Sequence, residues 1–316
     1  MYSLRFIILI VFLSLQHCLA KELSDIFKIE GQFTELPINK DIYFYLYSYN
    51  GNQREVLDSV KVLKSGAFTL KIEKELEPGI YEVSLNNALF ASIILTGKEE
   101  SLQLEASYMQ WQTGYIQPGS SKENELLKLL RELVAHRNSQ LNRVRQNIEA
   151  LYTTDPFYNT KRNSFLEEEQ KVLSIYNVQI NRLKGFYRDT YTAEVICPFY
   201  IEPVLSDFPE LAEKFDNEKA FLNRHYFFYI DFTDNRKIQS PLFYEKVHRY
   251  FEQYTHPTLL GYKSGLEYLL SLSSENENAR NAVLEISKSY FENTDQSDLW
   301  SKIYEKLSEQ HISISK

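Results

Sequence analysis

Hydrophobic and polar positions alternate with a period of two through the first third of the chain. Ile42, Phe44 and Leu46 alternate with tyrosines, which is the pattern of a strand with one buried face. The hairpin signal Asn50-Gly51-Asn52 follows. Similar short runs, separated by turn residues, cover Val56–Val62, Ala67–Ile72, Ile80–Leu85, Leu89–Leu95 and Ser101–Glu105. About seven short strands at this spacing predict an antiparallel β-sandwich.

From residue 122 onwards the hydrophobic positions recur every three or four residues, which is the period of helices that bury one face. Ser121 is the predicted N-cap of the first helix. Two long helices, ending near Tyr152 and Tyr187, are predicted to pack as an antiparallel hairpin. The predicted fold class is α+β: a signal peptide, a β-sandwich domain, a linker, an all-α helical domain and a tail, at residues 1–20, 21–108, 109–121, 122–310 and 311–316.

The most aromatic stretch of the chain, residues 221–254, predicts two helices joined by a tight turn. His225 lies on the first helix, Asp231 and Asp234 lie in the turn, and Arg236 follows them. His225 with the two aspartates could hold a metal ion, but the spacing lacks a compact ligand motif such as His-Glu-x-x-His. We therefore expect the aspartates to cap helix ends or bind turn amides, with no metal and no cofactor.

The N-terminus has the features of a secretory signal. Arg5 supplies the positive charge, residues 6–15 are apolar, and Cys18-Leu19-Ala20 resembles a small-residue cleavage site. The apolar run is too short to span a membrane. Cys18 could instead carry a lipid, but Gln16 and His17 stand where a lipobox has small residues. We therefore expect cleavage after Ala20, no lipid anchor, and export to the periplasm or beyond.

Cys197 is the cysteine that such cleavage would leave in the mature chain. Export exposes a protein to an oxidising compartment, in which a lone thiol could serve a redox function. Its neighbours Val195, Ile196, Pro198 and Phe199 are apolar, however, which favours a buried structural thiol. We keep a redox role for Cys197 as the alternative.

Composition and motifs exclude several function classes. A formal net charge of −8 argues against nucleic-acid binding. The sequence contains no Gly-x-Ser-x-Gly, no glycine-rich phosphate loop and no Cys-x-x-Cys, so we predict a non-enzymatic protein. Tyr43, Tyr45 and Tyr47 on one strand face could bind a sugar or a partner, although cross-strand packing is the simpler interpretation.

The chain resembles the region that precedes the thioredoxin domain in exported TlpA/ResA-like thiol–disulfide oxidoreductases of Bacteroidetes-type bacteria. The β part contributes the matching residues Asp58-Ser59-Val60, Gly66-Ala67-Phe68, Pro78-Gly79-Ile80-Tyr81 and Leu95-Thr96-Gly97. The helical part contributes Phe221-Leu222, His225-Tyr226-Phe227, Ile230-Asp231-Phe232, Arg236, Pro241 and Phe243. The resemblance covers nearly the whole mature chain and rests on packing and turn patterns, and it implies two uncharacterised accessory domains.

The resemblance also implies a thioredoxin domain after Lys316, and its Cys-x-x-Cys motif does not occur in this sequence. We therefore expect an exported, non-catalytic accessory protein that binds another envelope protein, such as a thioredoxin-fold protein. The first alternative is a truncated or split oxidoreductase whose catalytic domain lies outside this chain. The second is a glycan-binding module that uses the tyrosine strand.

Overall fold

A computed structural model describes residues 27–37, 41–73, 75–112, 117–119, 121–294 and 297–309. The predicted signal peptide and the polar tail lie outside these residues. The chain divides into two compact units between Glu125 and Leu126, and we refer to them as the β unit and the helical unit.

The β unit contains two four-stranded sheets, with strand orders β4-β1-β7-β8 and β3-β2-β5-β6. Its elements are β1 (Phe27–Thr34), β2 (Tyr43–Asn50), β3 (Gln53–Lys61), β4 (Ala67–Ile72), β5 (Gly79–Leu85), β6 (Leu89–Leu95), β7 (Ser101–Ser107), α1 (Tyr108–Gln112) and β8 (Gln117–Pro118). The six strands β2 to β7 overlap the runs that the alternating pattern predicted, whereas β8 lies in the segment predicted as a linker. Together with the helices that follow, they confirm the α+β class.

The pairing of β1 departs from the predicted antiparallel arrangement. β1 runs antiparallel to β4, but it runs parallel to β7, with Ile29 opposite Leu102. A parallel pair needs a long crossover between its strands, and here the crossover is the whole of β2 to β6. Alternation along β1 is the same for both kinds of pairing, so the sequence pattern does not distinguish them.

Aromatic residues join the two sheets of the β unit. The ring centroid of Phe68 on β4 lies 4.3 Å from that of Phe44 on β2 and 5.1 Å from that of Phe33 on β1. Trp111 on α1 packs edge-on against Phe33 at 5.2 Å, and its indole N–H donates to the Leu89 carbonyl oxygen at 3.2 Å. The segment predicted as a linker therefore supplies α1 to the core of the sandwich.

Asn124 satisfies the backbone of β6, which is an edge strand. Its side-chain oxygen accepts a hydrogen bond from the Ile94 N–H at 2.8 Å, and its amide nitrogen donates to the Ile94 carbonyl oxygen at 2.8 Å. Ser121 caps the helix that holds Asn124, since its hydroxyl accepts from the Asn124 backbone N–H at 3.3 Å. The buried Asn124 amide thus makes the two hydrogen bonds that a neighbouring strand would make with Ile94 at this edge.

The helical unit is a series of helices interrupted by short turns. They are α2 (Lys122–Glu149), α3 (Tyr158–Phe186), α4 (Cys197–Tyr200), α5 (Glu218–His225), α6 (Asn235–Ile238), α7 (Pro241–Arg249), α8 (Leu259–Leu272), α9 (Glu277–Glu292) and α10 (Ser297–Glu309). Two π-helical turns, Thr192–Ile196 and Tyr250–Tyr254, lie directly before α4 and directly after α7. None of the described helices combines the length and apolar character that crossing a bilayer requires.

The predicted aromatic stretch forms the centre of the helical unit. Tyr226 stacks near Tyr254 at 4.6 Å, and Phe227 packs edge-on against Tyr250 at 5.4 Å. Phe251 continues this packing to α9, where it lies 5.5 Å from Phe291. Such ring pairs add to the stabilisation from buried apolar area, and they tie α5, α7 and α9 into one core.

Replacement of Asn124 tests its role at the strand edge. We expect Asn124→Ala to lower the free energy of unfolding by about 2–6 kcal/mol, because it leaves two buried backbone groups unpaired at about 1–3 kcal/mol each. Urea denaturation would measure the loss. The matched control is Asn181→Ala on the exposed side of α3, for which we expect little change. Equal effects of the two substitutions would contradict this role.

Candidate functional site: a cationic pocket in the helical unit

A cavity of about 130 Å³ in the helical unit is lined by residues from several helices. α2 contributes Arg137, α4 contributes Tyr200, and α7 contributes Lys246 and Arg249. Tyr226, just after α5, forms another part of the wall. We call this cavity the cationic pocket because three of its lining residues carry positive charge, against two carboxylates.

Lys246 lies on the apolar face of α7. Phe243, Val247 and Tyr250 line that face at helical spacing, and all are buried. Lys246 falls on the same face and is only 6% exposed. Burial of an ammonium group costs free energy unless a partner compensates the charge. The groups that surround Lys246 therefore determine the electrostatic character of the pocket.

The compensation for Lys246 comes from an aromatic ring. Its Nζ lies 4.1 Å from the centroid of the Tyr226 ring, within cation–π range. In the part of the chain that the structure describes, no carboxylate forms an ion pair with this ammonium. Burial lowers the pKa of Lys246 to about 8, while the negative charge of Glu202 opposes the shift and the positive charge of Arg249 adds to it. Lys246 is therefore mostly charged at neutral pH and lacks a bonded counter-ion.

Arg137 is held at the pocket by three contacts. Its Nη1 lies 3.0 Å from Oε1 of Glu202, its Nε and Nη2 donate to the Asn138 side-chain oxygen, and its guanidinium lies 4.6 Å from the ring centroid of Tyr176. Asn177 fixes Glu202 in turn, because its side chain donates to the Glu202 carbonyl oxygen at 2.6 Å and accepts from the Glu202 N–H at 3.2 Å. The Glu202 carboxylate is thus paired with Arg137, and Lys246 forms no ion pair with it.

The two π-helical turns adjoin the elements that build the pocket. In the first, the Cys197 N–H bonds to the Thr192 carbonyl oxygen, and α4 with Tyr200 follows. In the second, the Thr255 N–H bonds to the Tyr250 carbonyl oxygen at 3.2 Å. Single π turns within helices occur frequently at functional sites.

A cation near the C-terminal end of a helix can also serve the helix itself, because it offsets the negative end of the helix dipole. Lys246 and Arg249 lie near the end of α7, so this role applies to them. The helical path continues through Tyr250–Tyr254, however, so the carbonyl groups of its last turn lie beyond Lys246 and Arg249. Dipole compensation alone therefore does not explain why Lys246 is buried.

Cys197, the first residue of α4, lies outside the cationic pocket and packs in a core with α2 and α3. Its side chain is fully buried, in agreement with its apolar neighbours, and burial raises the pKa of its thiol to about 12. A thiol with such a raised pKa is a poor nucleophile at neutral pH. The structure thus provides no support for the redox alternative, and the role of Cys197 stays a prediction.

The turn between α5 and α6 contains the predicted aspartates. Asp231 accepts hydrogen bonds from the backbone N–H and the hydroxyl of Thr233, at 2.9 and 2.7 Å. Asp234 is the N-cap of α6 and forms ion pairs with Arg236 and Lys237 at 2.9 and 2.6 Å. Burial opposes ionisation of Asp234, but hydrogen bonds from these two cations lower its pKa to about 2. Both aspartates are engaged in holding the turn.

The other members of the predicted turn have structural contacts as well. His225 stacks on Phe221 with the ring centroids 4.8 Å apart, and burial lowers its pKa. Arg236 also pairs with Glu194 at 2.8 Å, which connects the turn to the first π-helical segment. Among the described residues, no three His, Cys, Asp or Glu side chains gather into a set that could hold a metal ion.

The tyrosine strand is β2, and its rings face away from the core of the sandwich. Tyr43 is 38% exposed, Tyr45 is half-buried and Tyr47 is 6% exposed. Neighbouring rings lie 6.4 and 6.2 Å apart, and Tyr47 packs edge-on against Phe90 of β6 at 5.5 Å. These rings cover Glu82, which is buried on the same face and forms an ion pair with Arg54. Much of the tyrosine surface is therefore used for packing.

The residues of the cationic pocket were not predicted as a site from the sequence. A signal was present: Lys246 interrupts the apolar stripe Phe243, Val247 and Tyr250 at a position where helix periodicity predicts an apolar side chain. Arg137 and Glu202 gave no such signal, because they are 65 residues apart and meet only in the folded unit.

Thiol labelling tests the burial of Cys197. In a Cys18→Ser variant, Cys197 is the single cysteine of the sequence. We expect a chromogenic disulfide reagent to react with less than about a tenth of the protein within minutes under native conditions, and with one equivalent in concentrated urea, because both burial and a raised pKa suppress the thiolate. Rapid stoichiometric labelling of the native protein would instead support the redox alternative.

Comparison with known proteins gives one match. Residues 27–127 match a domain of unknown function, DUF4369, and this range corresponds closely to the β unit. No curated protein and no solved structure matches the chain. The chain therefore contains a DUF4369 domain, an uncharacterised domain, at residues 27–127.

Proposed function

We propose that the chain is an exported, non-catalytic binding protein of the cell envelope, and that its helical unit binds an acidic group in the cationic pocket. The observation that carries the proposal is the buried ammonium of Lys246, which lines the cavity and forms no ion pair with a carboxylate of the residues that the structure describes. An anion in the cavity would supply the missing counter-charge. It would do so in a partly desolvated site, where charge-assisted hydrogen bonds are strong.

The state of the ionisable groups near the pocket supports binding rather than turnover. Burial raises the pKa of Tyr226, so its hydroxyl stays protonated and can donate to a bound anion but does not act as a base at neutral pH. Cys197 is buried in a neighbouring cluster and does not line the cavity. Tyr226 can therefore donate a hydrogen bond to an anion but does not take up a proton at neutral pH, which favours binding over catalysis.

The partner in this proposal is another envelope protein, such as a thioredoxin-fold protein, and the acidic group belongs to it. The resemblance to oxidoreductase accessory regions motivates this choice. The alternative of a split oxidoreductase places the reaction in another chain, and it is compatible with the same docking site. The glycan alternative has less support, because Tyr47 is largely buried and the tyrosine rings pack on one another.

Export can be tested separately from ligand binding. We expect the protein, expressed at natural levels, to appear in the periplasmic or membrane-associated fraction with Lys21 as its first residue, because the predicted cleavage follows Ala20. N-terminal sequencing of the purified protein would measure this. An uncleaved N-terminus on protein recovered with the cytoplasmic fraction would contradict export, and lipid on Cys18 would support the alternative cleavage.

Anion binding can be tested with sulfate, which has no titration near neutral pH. We expect millimolar sulfate to bind, measured by isothermal titration calorimetry at constant ionic strength. Lys246→Met should weaken binding at least tenfold, since a hydrogen bond to a charged group contributes about 1.5–3 kcal/mol. Binding should also weaken as the pH rises through about 8, where the Lys246 ammonium loses its proton.

The matched control is Lys288→Met, which removes an exposed lysine of α9 that pairs with Glu292. We expect this variant to bind sulfate like the unmodified protein. Lys246→Gln serves as a second substitution and keeps a polar group in the cavity. If all three variants bind sulfate equally, or if none of the proteins binds it, the cationic pocket is not an anion site.

A further inference from the structure

A larger groove lies beside the cationic pocket, between α2 and α3. Its volume is about 370 Å³, which falls in the range of about 300–1,000 Å³ that is typical of ligand sites. Arg137 lines both the groove and the cationic pocket. Arg137 therefore borders both spaces, and a ligand that occupies both would contact its side chain.

The lining of the groove combines an apolar floor with amide side chains. Leu133, Val172 and Ile175 provide apolar surface, and Ile175 is 51% exposed although it is a large hydrophobic residue. Gln140 and Gln179 line the same groove. A side-chain amide both donates and accepts hydrogen bonds, so it can pair with the N–H and C=O groups of a peptide backbone.

Burial of a charge, and not the number of charges, distinguishes the pocket from the groove. The groove is lined by Arg137 and Lys171 against Glu168, with His136 beside them, and the pocket has three cations against two carboxylates, so each space has a formal excess of one positive charge. The pocket differs because it contains the buried ammonium of Lys246. Its volume of about 130 Å³ suits a single carboxylate-sized group and is too small for a larger ligand. The expected ligand therefore has one acidic group and a neutral body with amides and apolar side chains.

We propose that the cationic pocket and the groove together bind an extended acidic peptide segment of a partner protein. An aspartate or glutamate carboxylate enters the pocket at Lys246, and the adjoining residues lie along the groove past Arg137. This inference rests on the proposed function, and it adds the class of the ligand and a second surface. A lipid chain suits the groove less well, because amide and charged side chains form part of its lining.

The test uses an array of blocked heptapeptides with a central aspartate and varied neighbours, together with the same array carrying asparagine. Fluorescence polarisation of labelled copies of the best binders gives the affinities. We expect each aspartate peptide to bind at least tenfold tighter than its asparagine counterpart. Lys246→Met should abolish that difference, because the paired amide and carboxylate peptides differ only in the group that reaches the pocket.

Variants in the groove separate this inference from the proposed function. A Gln140→Ala/Gln179→Ala double variant should weaken peptide binding several-fold and leave sulfate binding unchanged. Ile175→Asp, at an exposed position that tolerates a polar residue in the folded protein, should weaken peptide binding in the same way. Circular dichroism and urea denaturation would verify that the variants are folded.

The outcomes are distinguishable. If sulfate binds through Lys246 but the aspartate and asparagine peptides bind equally or not at all, the peptide inference is wrong and the pocket takes a small free anion. If the peptides bind but the groove variants have no effect, the groove is not part of the site and the inference is also overturned. If neither sulfate nor peptide binds, the proposed function itself fails.

Discussion

Burial of the Lys246 ammonium is the constraint on which the interpretation of the helical unit depends. A charge withdrawn from water must be compensated, and an isolated buried ammonium loses its proton more readily. In this protein the ring of Tyr226 supplies part of the compensation, and no bonded carboxylate supplies the rest within the described residues. The arrangement leaves the lysine charged at neutral pH in a cavity, which favours the binding of an anion.

The surrounding core keeps that arrangement in place. Tyr226 packs against Tyr254 on one side and carries the ammonium of Lys246 over its ring, so one aromatic residue supports both the core and the pocket. Arg137 is fixed by Glu202 and by Tyr176. The pocket is therefore largely preorganised, and binding would require little ordering of side chains.

Much of the architecture was predictable from local patterns, whereas features that depend on distant residues were not. Alternation identified strands such as β2, and the capping residue Ser121 identified the start of α2. The parallel pairing of β1 with β7 depends on residues about 70 positions apart in the sequence. The alternation of hydrophobic and polar residues is the same in parallel and antiparallel strands, so it does not reveal the direction of pairing. Lys246 was overlooked because the helix period assigns its position to the apolar stripe, where a charged residue should have been treated as a signal.

The π-helical turns make the structure of the helical unit depend on the number of residues in these segments. In Tyr250–Tyr254 the backbone closes over five residues instead of four, so the turn holds one residue more than an α-helix would. Deletion of a single residue there would return this turn to the ordinary α-helical repeat. The same turn carries Tyr254, whose ring contacts that of Tyr226, so the length of the segment and the packing of the aromatic core are linked. Related chains that keep this site should therefore conserve the number of residues in this segment even where the residue types differ.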